Sequence, residues 1–390
     1  MSVAANQART FLALLRQLRG RWHTDHALPA AIQTLLARER SFGSRDRRLY
    51  RELIYTTLRH LPWIEPLLDA NPGEAVRRVA WLAAEIPATV AFRAEFAAGE
   101  PPSGDRTELL PAWFRAHCPE IFSGTELDAQ LRRAPLWLRL QATEPEKIFA
   151  EFAALGWQCR PSGVLPDAVE LLGDLDVTKT SAWKTGQVEV QDLGSQLLLE
   201  TLGLAPGEHW LDACAGAGGK SLQLARLLGP AGTVEAHDIR PAALAELGTR
   251  ATRAGLANIH PTSRPTTGDY DGVLVDAPCS GSGTWRRSPH LKWTTTPALV
   301  TERAALQATL LTRFAQCVRP GGRLVYATCS LSPQENESIV AAFLAGHPEF
   351  HPEPFARTFG FTPHADGGGL TILPARHHTD GFFVASLRRR

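Results

Sequence analysis

The sequence has no C-x-x-C pair. Its six cysteines, Cys118, Cys159, Cys214, Cys279, Cys317 and Cys329, are scattered along the chain. Such spacing matches neither a zinc module nor a disulfide scaffold, so free thiols in a reducing cytoplasm are expected, with no metal site. No stretch approaches the roughly 20 consecutive apolar residues that a membrane span needs. The nearest, Ala80 to Phe92, is interrupted by Glu85 and Pro87, and no membrane partner is expected. The apolar run Phe11 to Leu15 is too short for a signal-peptide core. An Arg-rich start with no acid before Asp25 leaves an organellar transit peptide open, but an amphipathic first helix explains it more simply. Internal repeats are absent, and net charge is nearly so at +1, which excludes nothing about nucleic acid.

What is present is an ordinary globular mixture, 44% hydrophobic and 21% charged, over 390 residues. That length implies two or three domains. Charge is unevenly spread. Between Met1 and His60 eleven Arg face two Asp and two Glu. Such a local excess fits a footprint for phosphates or, equally, a solvated helical face.

Apolar spacing of three and four residues at Phe11, Leu14, Leu15 and Leu18, and at Leu49, Leu53, Ile54 and Leu58, predicts helices in the first hundred residues. Ser44, ahead of Asp46, Arg47 and Arg48, is a candidate helix start. The stretch Gly99 to Gly104 breaks the pattern as a loop or linker. From Pro135 the texture changes. Leu136, Leu138 and Leu140 alternate with Trp137 and Arg139 like a strand, Pro145 to Leu155 reads as helix, and Val169 to Leu175 as another strand.

In the C-terminal half, strand-like runs end at Asp212, Asp238, Asp276 and Cys329, separated by helical stretches. This alternation implies parallel βαβ units, whose ligands bind beyond the carboxyl ends of the strands. After the first run comes Asp212-Ala213-Cys214-Ala215-Gly216-Ala217-Gly218-Gly219-Lys220-Ser221. A phosphate-binding P-loop needs glycine where Cys214 stands, and a dinucleotide fingerprint starting at Gly216 needs glycine where Ser221 stands. The remaining class is S-adenosylmethionine, whose ribose hydroxyls call for a carboxylate at the next strand end, here Asp238. A glycine loop alone is equally compatible with a purely structural turn.

Two further strand ends carry cysteine, in Asp276-Ala277-Pro278-Cys279-Ser280-Gly281 and Tyr326-Ala327-Thr328-Cys329-Ser330. A lone cysteine is usually a small buried hydrophobe. Two at the ends of strands flanking one crevice invite a covalent mechanism. On these segments the sequence resembles the RNA cytosine-5 methyltransferases of the RsmB/NSUN (Nop/Sun) family, of bacterial ribosomal-RNA type. The resemblance extends to Val190-Gln191-Asp192, Ser195-Gln196, the Cys214–Lys220 loop, Arg286-Arg287, Lys292-Trp293, Pro320-Gly321-Gly322, Glu335-Asn336 and Asp380-Gly381-Phe382-Phe383. Phe42 to Arg48 is similar to the family's NusB-like extension.

The resemblance implies an α/β fold in which a Rossmann-like class I methyltransferase sheet (185–390) follows a small α/β RNA-binding subdomain (131–184) and a helical NusB-like RNA-binding region (1–130). It implies methyl transfer from S-adenosylmethionine to C5 of a cytidine in RNA through a covalent adduct at C6. Cys329 is the implied nucleophile, and Cys279 assists product release. Asp276 and Lys220 complete the catalytic set, and Cys214, Ala215, Gly216, Ala217, Gly218, Gly219, Lys220, Asp238 and Asp276 form the cofactor set. The expected partner is ribosomal RNA, with transfer RNA as the alternative; oligomeric state is not addressed. A non-catalytic RNA-binding assembly factor is a further alternative, and a P-loop NTPase a distant one.

Arg286 and Lys292 read as phosphate contacts or as exposed charges, and Trp293 as a base-stacking or a core aromatic. The sequence departs from the family pattern at Gln141, where Asn is usual, and over His260 to Gly268, which lacks the acid expected near the adenine.

Overall fold

The computed structural model describes residues 2–142, 144–173, 175–365 and 367–390. It divides into two compact units. One comprises Met1–Arg133 together with Trp285–Thr296, the other Ala134–Thr284 together with Pro297–Arg390.

The first unit is helical. Val3–Leu18, Leu28–Arg38, Ser44–Arg59, Pro72–Leu82 and Val90–Phe96 bury one face each around Phe11, Leu53, Ile64, Val79 and Phe92. The helix expected at Ser44 begins there, with Gly43 as its cap. The Asp46 carboxylate accepts the Gly43 amide and so satisfies an otherwise orphaned donor. The Gly99–Gly104 stretch is a loop inside this unit, not a linker between units.

The second unit holds every strand among the described residues. β1 (Leu136–Leu140), β2 (Gln158–Pro161), β3 (Ala168–Leu172) and β4 (Val188–Val190) form an antiparallel sheet in the order β2-β3-β1-β4, with the helix Pro145–Ala154 against it. The alternation in β1 separates two buried faces, not a buried and a wet one. Leu138 and Leu140 enter the small core with Phe152 and Val169, whereas Trp137 joins the larger core and Arg139 is buried.

The large sheet contains β5 (His209–Asp212), β6 (Thr233–Ala236), β7 (Ile259–Pro261), β8 (Tyr270–Asp276), β9 (Val318–Thr328), β10 (Phe350–Pro352), β11 (Leu370–Ile372) and β12 (Phe382–Arg389). Its order is β10-β12-β9-β8-β5-β6-β7, with β11 paired to β12. β7, β6, β5, β8 and β9 run parallel; β12 returns antiparallel along β9. Central strands buried on both faces need continuous apolar runs. Val273-Leu274-Val275 supplies one, with Leu274 facing one core and its two neighbours the other. The chain leaves β5 to one side for β6 and crosses back to the other for β8. The carboxyl ends at that reversal are where an α/β sheet opens a crevice.

The helical unit's second segment interrupts the stretch 185–390 expected to be one continuous catalytic domain. Trp285, six residues after Cys279, is fully buried edge-on to Phe114. Arg286 donates to the Arg133 carbonyl while its own carbonyl accepts from Arg59. The Lys292 ammonium donates to the carbonyls of Arg59 (2.7 Å) and Leu109 (2.9 Å). Trp293 donates to the Leu58 carbonyl and packs on the helical core. Arg286 and Lys292 are therefore buried struts, neither phosphate contacts nor solvated charges, and Trp293 is a partly buried aromatic packed against the helical core.

Candidate active site

Four neighbouring parallel strands deliver the candidate residues to one edge of the sheet: Asp238 after β6, the glycine loop after β5, Asp276 and Cys279 at and after β8, and Cys329 after β9. Strand register aligns these ends, with Asp212 opposite Leu274 and Asp276 opposite Ala327.

The loop Cys214–Lys220 is pinned from both sides. The Ala215 amide donates to the His237 carbonyl (2.9 Å), tying the loop to the end of β6. Arg250 donates to the Ala217 carbonyl (2.6 Å) and Arg139 to that of Gly219 (3.2 Å). Gly218 has φ +87°, and a Cβ there would stand 2.7 Å from Leu247, so only glycine fits. Gly219 then opens the helix Gly219–Leu227 with nothing within 4 Å of where its Cβ would be.

Arg250 and Arg253 converge on Glu189 of β4, whose side chain is fully buried. The small sheet is thus linked through one carboxylate to the groups that hold the loop. Gln141 is occupied in the same region. It accepts from Arg139 and donates to the Gly186 carbonyl, which leaves its amide committed to the fold.

Asp238 has only 6% of its side chain exposed. It accepts four bonds, from the Gly216 amide (2.8 Å), the Arg240 amide (2.9 Å), and Nε (2.9 Å) and Nη2 (3.0 Å) of the Arg240 guanidinium. The Arg240 side chain is the foremost reason that its pKa falls to about 2. Ile239 beside it is 85% exposed, an apolar side chain offered to solvent at the mouth of the crevice. Neither Arg240 nor Ile239 was singled out in the sequence. A cation two residues beyond a strand-end acid, and an aliphatic between them, were the available signals.

Asp212, at the foot of the loop, is buried. Burial raises its pKa to about 7 against the opposing effect of the Ser221 hydroxyl, which donates to Oδ2 (2.7 Å). Lys220 Nζ donates to Asp276 Oδ2 (2.8 Å). Burial pulls the Lys220 pKa down, but Asp276, with a contribution from the nearby Cys329, outweighs burial and leaves it raised. The same ammonium lies 5.7 Å from the centre of the Phe382 ring.

Cys279 and Cys329 stand with their sulfurs 3.4 Å apart, both partly accessible. The hydrogen bond between them, then burial and the charges of Cys329 and Glu335, hold the Cys279 thiol well above its ordinary pKa. Either sulfur can be the donor in this contact. Cys214 lies elsewhere, beside three carboxylates. Burial first, then Asp212, Asp276 and Asp238, push its pKa up, which suits an inert thiol and not a nucleophile. Cys118, Cys159 and Cys317 are also free thiols.

Residues 199–388 match the family described as 16S rRNA methyltransferase RsmB/F. The ribosomal RNA small subunit methyltransferase B of Vibrio cholerae is 30% identical over 430 residues, covering 94% of this chain and 93% of that protein. A probable ribosomal RNA small subunit methyltransferase B from Synechocystis sp. is 38% identical over 236 residues, and one from Bacillus subtilis 34% identical over 264. These two matches span 58% and 63% of this chain but only 53% and 57% of the relatives' own length. Among solved structures, PH0851 superposes with a TM-score of 0.78 at 23% identity over the whole of both chains. A methyltransferase homologue from Pyrococcus horikoshii gives 0.60 at 24% identity, over 71% of this chain and 93% of that one. At such identities these structures speak for the fold alone.

Proposed function

The chain belongs to the RsmB/F family of ribosomal RNA small subunit methyltransferases, and from that premise we propose that it methylates C5 of a cytidine in ribosomal RNA, with Cys329 as nucleophile. The observation that carries the reading is the pair of sulfurs at neighbouring strand ends, beside the Lys220–Asp276 ion pair and the glycine loop.

The residues at the crevice fit S-adenosylmethionine, the cofactor of this family. Gly216, Gly218 and Gly219 give a close-approach turn; Asp238 supplies a carboxylate for ribose hydroxyls once Arg240 yields; Ile239 offers an apolar face for the adenine in place of the acid that residues 260–268 lack. Bound there, the cofactor supplies an electrophilic methyl group.

The protein's part is to make C5 of cytosine accept that group. The Cys329 thiolate forms a bond to C6, and the displaced electron pair makes C5 nucleophilic, splitting one hard step into two easier ones. In this reading Asp276 accepts from the exocyclic amine and from N3 as the adduct becomes protonated there, and Lys220 keeps Asp276 oriented and adds positive charge near the sulfur. After methylation the C5 proton passes to a water molecule in the crevice, its electron pair restores the C5–C6 double bond, and the C6–S bond breaks to return the Cys329 thiolate. Cys279, whose sulfur lies 3.4 Å from that of Cys329, assists the last step. The target base has to be unstacked to reach the two sulfurs, at a cost of a few kcal/mol. Engaging structured RNA around that base falls to the small sheet and to the helical unit, where Arg45 and Arg48 are exposed at a helix start.

The test uses the full chain, S-adenosylmethionine and a small-subunit ribosomal RNA transcript. Cys329→Ala should lose methylation by about 1,000-fold or more while RNA binding persists. Cys279→Ala should accumulate a protein–RNA species that survives denaturing electrophoresis. Reversed phenotypes would exchange the two roles. Methylation of transfer RNA but not of the ribosomal transcript would move the substrate class.

A further inference from the structure

Each of the two cysteines is followed by a serine, and both serines end on one carboxylate. Ser280 donates its amide (2.8 Å) and its hydroxyl (2.5 Å) to Glu335; Ser330 donates its hydroxyl to the same group (2.6 Å). Gln307, on the helix Pro297–Ala315, donates to the first oxygen of Glu335 (3.0 Å) and to the carbonyl of Pro278, the residue before Cys279 (3.0 Å). Glu335 has no solvent exposure, and its backbone carbonyl accepts from the Tyr326 hydroxyl of β9. Around it the loops are sewn together a second time. Ser282 and Ser330 hydroxyls lie 3.0 Å apart, the Leu331 amide donates to Ser282, and the Gly283 amide donates to the Cys329 carbonyl (2.9 Å). A Cβ on Gly283 would stand 2.1 Å from the Gly381 carbonyl oxygen, so the stitching leaves no slack.

A buried carboxylate surrounded by donors is expensive to desolvate unless every lone pair is used, and here four donors use them. Nothing in the proposed chemistry touches Glu335, and no basic side chain pairs with it among the hydrogen bonds it makes. Its partners are instead the two residues whose positions fix where the sulfurs point. We infer that Glu335 is a positioning residue that sets the separation and aim of Cys279 and Cys329, through Ser280 on one loop and Ser330 on the other. The inference rests on the proposed division of labour between the sulfurs only for its kinetic part; the distance between them is a property of the free protein.

The distance is tested directly in the full chain without RNA or cofactor. Diamide takes one hydrogen from each thiol, forming the Cys279–Cys329 disulfide and its own hydrazine, and mass spectrometry counts the thiols remaining. A misplacement near 1 Å is worth up to about 100-fold in rate for a reaction between fixed groups, so a tenfold slowing is the expected scale. Glu335→Ala should slow disulfide formation about tenfold, whereas Glu335→Gln should restore it to within about twofold, because its amide can donate to serine hydroxyls that then act as acceptors. Should Glu335→Ala fail to fold, Ser280→Ala and Ser330→Ala divide the effect. With the ribosomal transcript, Ser330→Ala should lower adduct accumulation in the Cys279→Ala background. Ser280→Ala alone should leave adduct uncleared, with KM for RNA unchanged and kcat reduced. Serine variants that leave both the oxidation rate and kcat within twofold of the parent would overturn the inference. If Cys279→Ala traps no adduct at all, the assignment of the two sulfurs fails, while the oxidation rates still judge Glu335.

Discussion

The two units hold some of their most buried charges differently. In the sheet unit, three buried or half-buried clusters pair opposite charges: Glu189 with Arg250 and Arg253, Lys220 with Asp276, Glu353 with Arg323 and Arg388. In the helical unit, Arg59, Arg286 and Lys292 end largely on backbone carbonyls. Carbonyl oxygens belong to the backbone already fixed by the fold, so a cation docked on them records where two segments meet and nothing more. A paired carboxylate and guanidinium can exchange partners with a ligand. In the sheet unit Lys220–Asp276 lies at the crevice and the Glu189 cluster braces its loop, whereas the helical unit uses its buried cations to seat the segment that follows the Cys279 loop.

The comparison is sharpest where one carboxylate serves two arginines. Glu189→Ala would leave Arg250 and Arg253 mostly buried without a counter-charge, and breaking a buried pair from one side costs about 3–5 kcal/mol. Urea unfolding should register a loss of that order. S-adenosylmethionine affinity should fall with it, since Arg250 holds the Ala217 carbonyl. A loss below about 1 kcal/mol would mean that the two arginines find water instead, and that the small sheet does not support the loop.

Next in size is a pH effect. Asp212 titrates near 7 in the folded protein and near 3.9 in an unfolded chain. Between those values the native state binds the extra proton, so stability falls as pH rises and levels off above 7. From pH 5 to 7 this amounts to about 2 kcal/mol at 1.4 kcal/mol per unit. Asp212→Asn should flatten that segment of the stability profile. An unchanged slope would assign the pH dependence to other groups.

The parts of this molecule legible in its sequence are those whose cause is local. Glycines at Gly216, Gly218 and Gly219, the β-branched run before Asp276, and proline ahead of Cys279 each act within a few residues, and they mark strand ends whatever else the chain does. The role of the segment 285–296 was not legible because its cause is distant: Lys292 is held by carbonyls at Arg59 and Leu109, far away in sequence, and a lysine on the surface has the same letter. The bracketing tryptophans, Trp285 and Trp293, were the one local hint of burial. Arg139 misled for a related reason. Alternation within β1 reported two environments correctly, but both lie under other layers, which a strand cannot reveal from its own residues. Glu335 was visible as part of a motif; its four donors come from three separate stretches of chain and were not.

A smaller effect probes an ion pair of the sheet unit that stands in the proposed path of a ligand. Asp238 accepts four bonds, two of them from the Arg240 guanidinium, so in the proposed reading a ribose diol would reach the carboxylate by displacing it. Arg240 is largely exposed, and exposed pairs of this kind contribute up to about 1 kcal/mol. Arg240→Ala should therefore bind S-adenosylmethionine up to about fivefold more tightly by calorimetry, the affinity equivalent of that energy. Weaker binding would show that the guanidinium contacts the cofactor instead of competing with it.

The smallest change is expected where the helical unit would seem most exposed to damage. Lys292 is completely buried, and burial, reinforced by Arg59, holds its pKa well below the ordinary lysine value. An unfolded chain keeps that proton until about pH 10.4, so in the interval below it the unfolded state binds more protons and stability rises with pH. Lys292→Met removes two hydrogen bonds to carbonyls, and with them the desolvation of an ammonium that has no carboxylate beside it. These two terms oppose each other, and replacing buried charge by an apolar side chain of similar length is often close to neutral. Urea unfolding at pH 7 should find the variant within about 1 kcal/mol of the parent. At pH 9 the parent should gain on it, because only the parent has the proton to lose. A loss of several kcal/mol at both pH values would show that carbonyl-held cations are as indispensable as the ion pairs of the sheet unit, and the contrast between the two units would fall.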